Sequence, residues 1–126
     1  MKLVVDTSLL IDHLRGGGRW NEFVKEIDRD SELFLPTVVS FELFSGKSSK
    51  DSRVIKKIND FSKYFQKIDL TWVIAQRAGE IYRSGITDLQ IPDYLIAATA
   101  LDIGGVVVTL NKKHFSKVPG LLLYPI

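Results

Sequence analysis

The sequence feature that most constrains the fold is a series of short, continuously apolar segments that alternate with segments of helical spacing. The apolar segments are typical of buried strands, because most are rich in Val, Ile and Leu and are bounded by polar residues, Pro or Gly. They lie at residues 2–5, 33–35, 106–109 and 121–123, and a more polar segment at 66–70 is a further predicted strand. A strand that is apolar throughout is buried on both faces, so the pattern predicts a parallel sheet covered by helices on both sides.

Apolar residues recur at helical spacing between these strands. The spacing predicts helices near residues 9–14, 20–27, 36–44, 54–65, 73–83 and 92–101, and a polar loop at 47–52. The last helix carries apolar side chains on nearly every face, which is typical of a helix buried within a domain. Pro92 suits its first turn, where a backbone N–H has no intrahelical partner.

Composition excludes several classes of protein. The chain has 126 residues, of which 45% are hydrophobic, so we expect one globular domain spanning residues 1–126. It has no cysteine, which excludes disulfides and thiolate metal sites and favours the cytoplasm as its location. No apolar run approaches the roughly 20 residues that a membrane span requires. The net charge of +2 is compatible with an anionic partner but does not establish one.

Three acidic residues interrupt apolar surroundings. Asp6 follows a predicted strand, Glu42 lies between Phe41 and Leu43, and Asp93 lies in the first turn of the apolar helix. If their carboxylates converged within about 5 Å, each pair would repel by roughly 3 kcal/mol at an effective dielectric constant of 20. A divalent cation would offset that repulsion. Oxygen ligands without cysteine favour hard ions such as Mg²⁺ or Mn²⁺.

Each acid also has an ordinary structural explanation. Asp6 is a natural N-cap for the helix that follows it, Glu42 is compatible with a solvated helix position, and Asp93 is placed to interact with the helix dipole. From spacing alone, both the metal site and these separate structural roles remain open.

Four segments together resemble the PIN-domain ribonucleases, and in particular the VapC-type toxins of prokaryotic toxin–antitoxin pairs. The segments are residues 3–11, 40–46, 91–100 and 108–115. Their order and separation span the whole chain. The resemblance implies an α/β protein with the three-layer α/β/α PIN-like fold, in which a short parallel sheet is flanked by helices.

The resemblance also implies an acidic pocket that binds Mg²⁺ or Mn²⁺. Asp6 and Asp93 match the main metal-ligand positions, and Glu42 matches a third acid that often acts through water. The fourth acidic position falls at Asn111, where a neutral amide replaces a carboxylate. The hydroxyl groups of Thr7, Ser8 and Thr109 are expected to support the acids.

The implied reaction is metal-assisted hydrolysis of RNA, in which water attacks in line and leaves a 5′-phosphate and a 3′-hydroxyl. The implied partners are an RNA substrate, an antitoxin whose C-terminal segment covers the acidic cleft, and a second copy of the chain. Exposed apolar residues are expected at these protein interfaces, although core packing is an alternative for each of them: Leu9, Leu10, Phe41, Phe44 and Tyr82. Basic candidates for steering phosphates are Arg83, Lys112, Lys113, His114 and the segment 50–57.

The main alternative function is a catalytically weakened PIN fold that binds RNA or protein without cutting, with Asn111 marking the degraded site. A receiver domain is disfavoured because no acidic pair lies near the first strand. A phosphatase of the HAD type would require a second acid two residues after the first, where Ser8 stands.

Overall fold

The computed structural model describes residues 1–126, in which short strands alternate with helices. The strands are β1 (Lys2–Val5), β2 (Glu32–Pro36), β3 (Gln66–Ile68), β4 (Val106–Val108) and β5 (Leu122–Leu123). The helices are α1 (Thr7–Leu14), α2 (Arg19–Glu26), α3 (Thr37–Ser45), α4 (Ser52–Ser62), α5 (Trp72–Arg83), α6 (Ile91–Ile103) and α7 (Lys112–Phe115), and a 3-10 helix spans Lys47–Lys50. None of these helices combines the length and apolar character needed to cross a membrane.

All strand pairs are parallel, and the strand order is β3-β2-β1-β4-β5. The chain builds outward from β1 through β2 to β3 and then returns to the other side of β1 with β4 and β5. The order of strands therefore reverses between β1 and β4, where Val5 lies opposite Val108. The predicted parallel sheet flanked by helices is confirmed.

The core is centred on β1, β4 and α6. Leu3, Val4 and Val5 are fully buried, as are Val107 and Val108 of the neighbouring strand. In α6 the same is true of Ile96, Ala97, Ala98 and Ala100, so the prediction of a helix buried on most faces is confirmed. The small alanine side chains allow this helix to pack closely against the sheet.

Two short helices were not predicted. The segment expected to be a polar loop contains the 3-10 helix, in which the buried Ser49 donates its hydroxyl to the Leu43 carbonyl at 2.7 Å. Helix α7 lies where no element was expected, and it places Phe115 in the core with no exposed surface. Both helices have four residues, which is too few for apolar periodicity to be visible in the sequence.

Several boundaries of strands and helices differ from the prediction. The pattern of side chains in the sequence extends beyond the residues whose backbones are hydrogen-bonded in the element. Strand β3 ends at Ile68, and Leu70 is 51% exposed rather than part of a buried strand. Pro36 ends β2 and is the N-cap of α3, rather than lying within that helix.

The five apolar residues considered for interfaces are divided between the core and the surface. Leu9 and Leu10 are completely buried, so neither is available to a partner. Phe41, Phe44 and Tyr82 are 62%, 44% and 63% exposed. Both leucines belong to the hydrophobic core, and only the three aromatic residues remain as interface candidates.

Candidate active site

The candidate site lies at the carboxyl edge of the sheet, beside the reversal of strand order. Asp6 follows β1 and Thr109 follows β4, and the Asp6 backbone N–H donates to the Val108 carbonyl at 2.9 Å. In open parallel sheets the divergence of the loops at such a point leaves a crevice in which ligands bind. The strand order thus brings together two residues that are 103 positions apart in the chain.

Asp6 occupies the N-cap position of α1, but its carboxylate makes no capping hydrogen bond. Instead, Oδ2 accepts hydrogen bonds from the Thr109 hydroxyl at 2.7 Å and from the Ser8 hydroxyl at 2.8 Å. The residue is only 4% exposed. The capping explanation for Asp6 therefore does not account for its carboxylate, which is held in place by hydroxyl groups from two different segments.

The two hydroxyl groups are themselves oriented by the backbone. Ser8 Oγ accepts the Leu110 N–H at 3.0 Å, and Thr109 Oγ1 accepts the Asn111 N–H at 2.9 Å. Each oxygen then directs its single proton to the Asp6 carboxylate. This arrangement confirms that the hydroxyl groups of Ser8 and Thr109 support the acid, and it fixes the orientation of the buried Asp6 carboxylate.

Glu42 reaches the site from α3. Its Oε1 accepts the Thr7 hydroxyl at 2.6 Å, which joins α3 to the first residue of α1. Burial raises the pKa of the Glu42 carboxyl, and the negative charges of Asp6 and Asp93 raise it further, whereas the Thr7 hydrogen bond acts in the opposite direction. Glu42 is therefore a partly buried acid with two acidic neighbours, rather than the fully solvated helix residue of the ordinary explanation.

Asp93 is the third residue of α6, and one of its oxygens has a structural role at the start of that helix. Oδ2 accepts the Gln90 backbone N–H at 2.9 Å, which closes the N-terminal turn of the helix. Burial raises the pKa of the Asp93 carboxyl; the Gln90 hydrogen bond lowers it, Asp6 raises it and His114 lowers it. The same carboxylate thus closes the helix turn and faces the other two acids.

The three carboxylates share one arrangement. Each has one oxygen held by the protein, as described above, and a second oxygen that accepts no hydrogen bond from the chain. No unpartnered polar side-chain atom is sealed from solvent, so each of these second oxygens is accessible to solvent. The three ion pairs of the chain all lie elsewhere. No lysine or arginine neutralises the cluster.

The donor set fits a hard divalent cation, with part of the coordination left to other ligands. Carboxylate oxygens without cysteine are the ligands that Mg²⁺ and Mn²⁺ prefer. No three Asp, Glu, His or Cys side chains lie close enough together to hold an ion by themselves. This agrees with the usual mode of Mg²⁺, which binds one or two carboxylates and takes its remaining ligands from water and substrate phosphates.

Asn111 and the basic candidates differ in their relation to the acids. Asn111 lies at the N-cap of α7, beside Thr109, and its side chain makes no capping hydrogen bond. His114 is near enough for its charge to influence Asp93. Lys112 and Lys113 are exposed on α7, and Arg83 is exposed at the end of α5. Asn111 thus lies at the same carboxyl edge of the sheet as Asp6, and its amide adds no negative charge.

Replacing Glu42 with Gln is expected to stabilise the metal-free protein at neutral pH. A carboxyl whose pKa is higher in the folded state than in the unfolded state stabilises the folded state at low pH. This stabilisation is lost as the pH rises through the folded-state pKa. The neutral amide of glutamine still offers an oxygen to the Thr7 hydroxyl. It does not carry the desolvation cost of a buried charge or the repulsion from Asp6 and Asp93. After allowance for solvent screening, the gain is about 0.5 kcal/mol, or roughly 2 °C in Tm.

Thermal unfolding in EDTA at pH 4 and pH 7.5 measures this effect, with Glu80→Gln on the exposed face of α5 as the matched control. The difference between Glu42→Gln and wild type should be present at pH 7.5 and absent below the ordinary carboxyl value of 4.5. Adding Mn²⁺ should raise the Tm of wild type more than that of the variant. An equal response of both proteins to Mn²⁺ would contradict a shared cation site.

Comparisons with known proteins agree with this geometry. The family model described as "PIN domain" matches residues 3–121. The chain is 32% identical to Ribonuclease VapC19 of Mycobacterium tuberculosis over 96% of this chain and 97% of that protein, and 33% identical to Ribonuclease VapC10 of the same organism over 90% and 85%.

Solved structures show the same fold. VapBC2 from Rickettsia felis, bound to a DNA fragment from its promoter, matches with a TM-score of 0.87 and 22% identity over 98% of each chain. DNA-bound VapBC from Salmonella typhimurium matches with a TM-score of 0.82 and 25% identity over 98% and 97%. The family model covers nearly the whole chain, and the sheet order and acidic cleft lie within the matched residues. The chain therefore belongs to the PIN-domain family.

Proposed function

We propose that this protein is a metal-dependent endoribonuclease that acts as the toxin of a toxin–antitoxin pair, with residues 1–126 forming a single PIN domain. The observation that carries the proposal is the set of three carboxylates at the switch in strand order, each with one oxygen held and one oxygen free. The curated relatives at 32% and 33% identity are named as ribonucleases, which supports RNA as the substrate.

The free oxygens of Asp6 and Asp93 are the proposed ligands of Mg²⁺ or Mn²⁺, and Glu42 takes part through water. When bound, such an ion orients a water molecule, lowers its pKa and stabilises charge on the phosphoryl oxygens. Ser8 and Thr109 hold Asp6 in position, and Thr7 holds Glu42. Glu42, held by the Thr7 hydroxyl beside the proposed ion site, is placed to accept a proton from a water molecule. Asn111 contributes an amide that orients water without adding charge.

The proposed protein partners are an antitoxin and a second copy of the chain. Two solved structures with the same fold are of VapBC2 and VapBC, which supports an antitoxin partner. Phe41 and Phe44 lie three residues apart on α3 and share an exposed face of that helix, which makes them candidates for a protein interface. Tyr82 and the 70% exposed Ile91 border an apolar groove between α5 and α6, which we assign to the second copy.

Incubation of the purified chain with single-stranded RNA tests the function. Cleavage is expected with Mn²⁺ or Mg²⁺, loss of cleavage with EDTA, and recovery when Mn²⁺ is restored. The products should carry 5′-phosphates, which is measured by ligation before and after phosphatase treatment. Cleavage that continues in EDTA would contradict metal dependence. RNA binding without cleavage under all conditions would favour the alternative, a catalytically weakened PIN fold that binds RNA or protein.

A further inference from the structure

A groove of about 480 Å³ adjoins the acidic site on the side of Glu42. It lies between α1, the end of α3, the 3-10 helix and the start of α4. Apolar side chains of Ile11, Leu14 and Val54 line part of it, and Glu42 lines the part next to the acids. Its volume is within the usual range of about 300–1,000 Å³ for small-ligand sites.

Two cations also line this groove, and neither is paired. Arg15 follows α1 and Lys47 begins the 3-10 helix, 32 positions further along the chain. Both residues are exposed, neither side chain takes part in a hydrogen bond, and neither belongs to any of the three ion pairs. Neither is among the charges that affect Glu42. The positive charges are therefore available to an anion that enters the groove.

We propose that Arg15 and Lys47 form a subsite for the RNA backbone phosphate that neighbours the scissile one, with the apolar part of the groove in contact with a ribose or base. The proposal rests on the ribonuclease function proposed above. The acidic cluster repels the RNA strand, so groups that hold the strand against it must be positive and must lie outside the cluster. Arginine suits this position, because its planar guanidinium binds two phosphate oxygens at once.

The length of α1 sets the distance between the subsite and the acids. Asp6 precedes the first residue of this helix and Arg15 follows the last. Nine steps of about 1.5 Å along the helix separate the two residues by roughly 13 Å. Arg15 is thus placed for a phosphate next to the one at Asp6 on the same strand. Neither cation was predicted from the sequence, because no local pattern relates Arg15 to Lys47.

Arg15→Gln with Lys47→Gln tests the subsite, and Arg29→Gln with Lys25→Gln is the matched control. The control removes the same charge from exposed residues that do not line the groove. Binding of a fluorescent single-stranded oligoribonucleotide is measured by anisotropy in EDTA across a salt series. The groove variant is expected to bind about tenfold more weakly. Its plot of log K against log salt should be shallower by about 0.7, since a single strand contributes roughly 0.7 per phosphate contact and the subsite holds one phosphate.

Cleavage with Mn²⁺ provides the second readout. The groove variant should raise KM about tenfold and leave kcat within about twofold of wild type, because the lost contacts hold the strand and not the reacting atoms. Arg15→Lys with Lys47→Arg should restore the salt dependence. A purely structural role at the helix ends would instead change Tm and leave the salt dependence as it is.

Three results would overturn the subsite. One is an equal loss of RNA affinity in the groove and control variants, which would indicate diffuse attraction. Another is an unchanged salt dependence in the groove variant. The third is loss of binding to an oligoglutamate peptide with no change in RNA binding, which would assign the groove to an acidic protein segment. If wild type binds RNA without cutting it, the proposed ribonuclease function fails, and the binding measurements still decide the subsite.

Discussion

Asp93→Asn is expected to lower the rate of RNA cleavage by about a thousandfold, because it removes charge from a proposed cation ligand. The amide oxygen of Asn can still accept the Gln90 N–H, so the first turn of α6 is preserved. The other position becomes an NH₂ group, which cannot bind a cation. Because burial and Asp6 raise the pKa of Asp93, loss of its charge should not lower Tm in metal-free buffer.

The measurement is single-turnover cleavage of RNA with Mn²⁺, together with thermal unfolding in EDTA. Asp102→Asn is the matched control, since Asp102 is exposed near the other end of the same helix and makes no ion pair. Wild type and the control should cleave at similar rates. Equal residual cleavage by wild type and Asp93→Asn would indicate a contaminating nuclease and would favour a binding role for the protein.

Thr109→Val is expected to have the second largest effect, although Thr109 is not itself a proposed ligand. Valine has nearly the same shape, but it removes the donor to Asp6 and the acceptor for the Asn111 N–H. The site is completely buried. Leaving two polar groups without this partner should cost about 2–3 kcal/mol, or roughly 10 °C in Tm. Loss of orientation at Asp6 should reduce cleavage about 10–100-fold.

Thr109→Ser separates the hydroxyl from the methyl group. Serine keeps both hydrogen bonds and removes one buried methyl group, so the free energy of unfolding should fall by about 1 kcal/mol. Cleavage should stay close to that of wild type. The Tm values of the two variants are compared by thermal unfolding. Their single-turnover cleavage of RNA is measured at 25 °C, where both remain folded. If valine and serine cleave RNA equally well, the hydroxyl does not position Asp6.

The residue pattern was sufficient to predict the elements that bury long apolar surfaces. β1 and β4 were visible because residues 3–5 and 106–108 are continuously apolar, and α6 was visible because its apolar residues exceed one helical face. The three acids were visible for the opposite reason, since each interrupts such a run. The elements that were missed, α7 and the 3-10 helix, are only four residues long, so they contain too little sequence for a period to emerge.

What each acid does was decided by tertiary structure. Asp6 has the sequence position of an N-cap, yet Thr109 and Ser8 take up its oxygen because β4 lies beside β1 in the sheet. The pairing of Glu42 with Thr7, and the groove shared by Arg15 and Lys47, likewise depend on how α1 and α3 pack. Periodicity in a sequence reports which faces of an element are buried. The partner of a polar atom is set by contacts between segments far apart in the chain, and only the folded chain determines those contacts.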